Sequence, residues 1–134
     1  MKKFSVIVGI VLSFLFIQNS EAKDYTIHDV MAAFESSTYK ILKGFLWDKD
    51  ELIIEGAHTI ATYPEPKEGL LHYVRPERRT KNFEKTLKIL EGIVRQNAQQ
   101  IEELMKQGNK SLAAEKMTDM IKGCNSCHAV FRGW

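Results

Sequence analysis

Residues 83–105 read FEKTLKILEGIVRQNAQQIEELM. In that stretch Phe83, Leu87, Leu90, Val94, Ala98, Ile101 and Met105 recur at steps of three and four, the period of one face of an α-helix. Gly108-Asn109 breaks the pattern, and Pro76 is suited to open it, because a first-turn residue has no helical N–H bond to lose. The same period extends outward on both sides. After the break, Leu112, Met117, Met120, Ile121, Cys124, His128 and Phe131 mark a fourth segment. Before Pro76, a second segment starts near Asp48, carries Leu52, Ile53, Ala57, Ile60 and Ala61, and is closed by Pro64 and Pro66. The first runs from a Thr26 cap through Ile27, Val30, Met31, Phe34, Ile41, Leu42 and Phe45, with a polar gap at Ser37-Thr38. No segment alternates with the period of a strand. The predicted fold is all-α, an antiparallel up-down-up-down four-helix bundle. Its longest connection is 64–75, a length at which loops often carry function.

The chain has 134 residues, enough for one domain. With 27% charged and 44% apolar residues it is no disordered tail. Nineteen basic against 17 acidic residues give a net charge of +2, so no nucleic-acid partner is expected. Two cysteines cannot build a disulfide framework.

Residues 1–22 have the layout of a secretory signal peptide: Lys2 and Lys3, an apolar run from Phe4 to Ile17, then Ser20-Glu21-Ala22 before a cleavage site. The alternative is an uncleaved anchor, but the run is shorter than the ~20 residues that span a bilayer. The remaining domain, 23–134, has 17 basic and 16 acidic residues. It is expected to be soluble in an oxidising compartment, the periplasm of a Gram-negative bacterium.

Cys124-Asn125-Ser126-Cys127-His128 is C-x-x-C-H, the attachment signature of c-type haem. On a helix, residues i and i+3 share a face. Two thiols there can each add across one vinyl group of a porphyrin edge, sulfur to one carbon and hydrogen to the other, forming thioethers. The residue four past the first cysteine stays on that face and can present its imidazole to iron. The cofactor expected is one covalent haem c. The rivals are a dithiol redox pair, which needs a βαβ context not seen here, and a zinc corner, which needs His58 or His72 as fourth ligand.

The motif lies at the end of the fourth helix, followed by Ala129-Val130-Phe131-Arg132. In this the chain resembles the class II c-type cytochromes, the cytochrome c-prime family and its low-spin relatives. The resemblance covers essentially the whole mature chain. It is specific at 124–132 and looser elsewhere, with Arg75-Pro76-Glu77 as a further point of likeness. Members often carry a Trp just after that point, where this chain has Arg78-Arg79. Members also often carry a propionate-binding Arg at the place of Ile27. The resemblance implies a four-helix bundle, allows a homodimer, and gives Arg132 a role beside the proximal ligand.

The second axial position decides the function. In the predicted topology the start of the first helix lies beside the end of the fourth. Met31, roughly 6 Å along its helix from Ile27, then sits at the depth of His128. Low-spin relatives carry Met at this place, so Met31 is the expected distal ligand. An open iron site and His58 are the alternatives; His28 lies too near the helix end, and Met105, Met117 and Met120 are expected to pack the core. A Met–His pair leaves no room for substrate and suits outer-sphere electron transfer with redox-protein partners. An open site would instead bind nitric oxide or another small gas. Arg75, Arg78 and Arg79, at the start of the third helix, are candidates for propionate partners, for a docking patch or for a solvated turn. No acid–base pair, nucleophile set or phosphate loop is visible, so no enzyme activity is expected.

Overall fold

The structure, a computed structural model, describes residues 24–132. The export segment expected at 1–22 lies outside the described residues. Four α-helices make up most of the fold: α1 (Ile27–Leu46), α2 (Asp50–Thr62), α3 (Lys81–Lys106) and α4 (Lys110–Arg132). No strand occurs among the described residues, and no helix there is long and apolar enough to cross a membrane.

The helix ends follow local chemistry. Thr26 and Asp29 form a reciprocal capping box: Asp29 N donates to Thr26 Oγ1 at 3.2 Å and Thr26 N donates to Asp29 Oδ2 at 2.8 Å. Asp48 lies two residues before α2 begins at Asp50, close to the expected start. It occupies the left-handed region at φ 53° in the turn, a conformation Asp accepts more readily than most residues. Lys110 at the start of α4 ties this turn down through Asp48 and, at 2.6 Å, Asp50. Pro76 does not open α3. It starts a 3-10 turn, Pro76–Arg78, which ends as the chain extends at Thr80. Thr80 then caps α3 by accepting from Phe83 N at 3.2 Å, a better use of a hydroxyl than proline can offer.

One core joins all four helices. Val30, Phe34 and Ile41 meet Ile53, Ala57 and Ile60, then Val94, Ala98, Ile101 and Met105, then Ala113, Met117 and Met120. Met105, Met117 and Met120 are thus core residues, as expected. Each fully buried isoleucine contributes about 1.5–3 kcal/mol over exposure. The polar gap in α1 has a packing cause. Ser37 is buried where Gly56 of α2 comes so close that a Cβ there would lie 2.7 Å from the Ser37 carbonyl oxygen. Helices consecutive in sequence pack broadly on each other, whereas α1 and α4 do not.

Candidate cofactor site

The space between α1 and α4 is a cavity of about 620 Å³, within the range of small-molecule and cofactor sites. From α4 it is lined by Ile121, Cys124, Cys127, His128, Phe131 and Arg132. From α1 it receives Ile27, His28, Met31, Phe34, Glu35, Thr38 and Tyr39, while Glu91 and Val94 of α3 and Leu70 complete it. The motif on α4 and the candidate ligand on α1 therefore share one space. Gly123 precedes the motif against α3; a Cβ there would meet Val94 Cγ2 at 3.1 Å. This close approach seats the following turn, with both thiols half-buried and free of any disulfide.

Burial sets the protonation of the site. It pushes the Cys124 thiol up, partly offset by a backbone hydrogen bond. It pushes the Cys127 thiol up as well, helped by the negative charges of Glu91 and Cys124. It pushes the His128 imidazole down, with the Arg132 cation adding to the effect. At neutral pH the site thus offers two thiols and a neutral imidazole, the form of histidine that ligates metals. A dithiol redox pair wants the opposite, a thiol whose acidity is enhanced.

Neither histidine proposed to complete a zinc corner lines the cavity with the motif. His58 Nδ1 lies 3.1 Å from Glu102 Oε2, and His72 Nε2 lies 3.0 Å from Glu68 Oε2. Among the described residues no three His, Cys, Asp or Glu side chains are grouped to hold a metal ion. His58, the alternative distal ligand, does not line the cavity; its ring is directed to Glu102 of α3. His28, by contrast, does reach the cavity lining.

The arginines divide. Arg132 lines the cavity, whereas Arg75, Arg78 and Arg79 do not. Arg78 donates from Nη2 to the Val130 carbonyl at 2.7 Å and lies over the Phe83 ring, 4.6 Å from its centroid. It therefore satisfies a last-turn carbonyl of α4, where a cation suits the helix dipole. Arg79 donates to the carbonyls of Val74 and His72, both at 2.7 Å. These guanidinium groups brace the connection and the end of α4, and Arg75 is exposed.

Glu91 and Arg95 escaped the sequence reading. Glu91 is buried at the cavity wall and accepts from Arg95 Nε at 3.0 Å and Nη2 at 2.8 Å. The signal was available: Glu91 is an acid inside the apolar line between Leu87 and Val94, with an arginine one turn on. Compared with known proteins, the chain matches no family model, no curated protein and no solved structure.

Proposed function

We propose that this chain is an exported monohaem c-type cytochrome that carries single electrons, of the class II type it resembles. One observation carries the reading: C-x-x-C-H on α4 and Met31 on α1 line the same largely apolar cavity. In it Cys124 and Cys127 hold the porphyrin covalently, His128 is the proximal ligand and Met31 the distal one. The haem supplies a one-electron couple whose potential is raised by Met–His ligation. The protein holds the ligands on two helices, so little rearrangement accompanies electron transfer, and its apolar walls exclude water. Arg132 lies beside His128 at the rim. Redox proteins are the partners, and periplasmic export follows from residues 1–22.

The up-down-up-down bundle belongs to the same proposal. It is supported by residues that meet in reverse order along consecutive helices: Gly44 meets Ile53 and Ser37 meets Gly56 across α1 and α2, and His58 meets Glu102 while Ile60 meets Arg95 across α2 and α3.

The test is expression in a host able to attach haem. The polypeptide should gain the mass of one haem that survives denaturation. Its spectrum should be six-coordinate and low-spin with a Met–iron charge-transfer band, and Met31→Ala should abolish that band. A five-coordinate high-spin wild type would replace electron transfer by gas binding. Colourless protein at its bare mass, with both thiols free, would overturn the reading.

A further inference from the structure

Glu91 and Arg95 form a buried ion pair with a direction. Glu91 is 9% exposed and lines the cavity wall that Cys127 shares; Arg95 is not part of the lining. Glu91 Oε1 accepts both bonds from Arg95, and its Oε2 has no hydrogen-bond partner among the described residues.

The guanidinium is held at all three of its nitrogens, Nε and Nη2 by Glu91. Its Nη1 donates to the Tyr63 carbonyl at 2.6 Å and the Ile60 carbonyl at 3.2 Å, at the end of α2. Those are carbonyls that a helix terminus leaves without intrahelical partners. Its Cζ lies 5.2 Å from the ring centroid of Phe34, itself a wall residue. Arg95 is therefore a clamp anchored outside the cavity, and the carboxylate it grips cannot swing away. The negative end of the pair faces the cavity and the positive end lies behind it.

We infer that Glu91, held by Arg95, is a fixed-charge residue that lowers the reduction potential of the group in the cavity. The inference builds on the cytochrome reading. Oxidised haem carries one more positive charge than reduced haem, so a nearer anion favours the oxidised form. The more distant cation offsets only part of this, and the low exposure of the two side chains, 11% for Glu91 and 18% for Arg95, weakens screening by solvent. Glu91 thus works against the upward pull of Met–His ligation.

The experiment measures midpoint potentials of the full, haem-loaded chain, with attachment checked by mass. Glu91→Gln keeps the shape and removes the charge. It should raise the potential by about tenfold in the oxidised-to-reduced equilibrium, about 59 mV for one electron. Glu91→Asp keeps the charge and should move it by less than half as much. A double variant, E91Q/R95Q, retains an amide pair able to hydrogen-bond and guards against misfolding of the single variant; it should give a smaller upward shift. An unmoved or lowered potential in E91Q, or in the double variant where E91Q does not load, overturns the inference. So do equal shifts in Glu91→Gln and Glu91→Asp, which would assign Glu91 to packing. Failure of the wild type to acquire haem would instead defeat the cytochrome reading.

Discussion

The two flanks of α1 are built on opposite plans. Toward α2 the helices approach until backbone nearly touches backbone. A Cβ at Gly44 would lie 2.8 Å from the Lys49 carbonyl oxygen, and one at Gly56 would lie 2.8 Å from Ile41 Cγ1. Toward α4 the broad helix contact is missing and a cavity of about 620 Å³ takes its place. Tyr39 and Ile121, on the walls of that cavity, stay 65% and 46% exposed. Apolar walls left uncovered beside an otherwise packed core are what the proposed haem would cover. Small residues close one flank; bulky residues and the Cys124–His128 motif line the other.

The largest expected effect falls on the open flank. Replacing Cys124 and Cys127 by alanine removes both proposed attachment points, so the purified chain should carry no haem after acid extraction, where the wild type should keep all of it. Fold should suffer little by comparison, because the two thiols make no disulfide and are only half-buried. Retention of a covalent haem by the double variant would show that the motif is not the anchor.

The closed flank should respond to volume instead. Gly56→Ala gains up to about 1 kcal/mol of helix propensity, yet its methyl must displace the Ser37 carbonyl and Ile41. A net loss of about 1–3 kcal/mol is expected in urea unfolding. Gly92→Ala is the matched control on α3. Nothing lies within 4 Å of its Cβ position, so it should stabilise by about 0.5–1 kcal/mol. Equal responses at the two glycines would mean that the α1–α2 contact is looser than its geometry.

How far this contrast could be read in the sequence depended on range. The α3 line was legible because Leu87, Val94, Ala98, Ile101 and Met105 are all buried, each declared by its neighbours three and four residues away. That Cys124, Cys127 and His128 line one cavity was legible for the same reason, since their spacing is contained within about one turn of helix. Ser37 read as a gap because the partner that explains it, Gly56, is on another helix. The arginines were placed by their charge and the helix start, but which carbonyls surround Arg78 and Arg79 is a tertiary matter. Pro76 read as the start of α3 because proline suits a first helical turn, but here that turn is the separate 3-10 turn Pro76–Arg78. Glu91 was overlooked because an apolar line is scanned for what fits it, whereas a buried acid is informative by being out of place.

The smallest effect expected is electrostatic and lies away from both flanks of α1, between α2 and α3. Burial alone would push the Glu102 carboxyl up, but hydrogen bonds from Lys106, at 2.6 Å, and from His58 outweigh it and hold the group below the ordinary glutamate value. A carboxyl lowered in the folded state binds its proton later than in the unfolded chain. Its contribution is therefore complete above the ordinary value and is lost as pH falls through that value to the lowered one. Glu102→Gln should cost no more than about 1 kcal/mol at neutral pH, because both partners are largely exposed. The gap between the urea midpoints of wild type and Glu102→Gln should close as pH falls to about 3, below the ordinary carboxylate range. A gap that persists there would assign Glu102 a packing role rather than a charged one. None of Glu102, His58 and Lys106 lines the cavity, so the haem spectrum should not follow this titration; if it did, α2 and α3 would be coupled to the open flank through the core they share with α1.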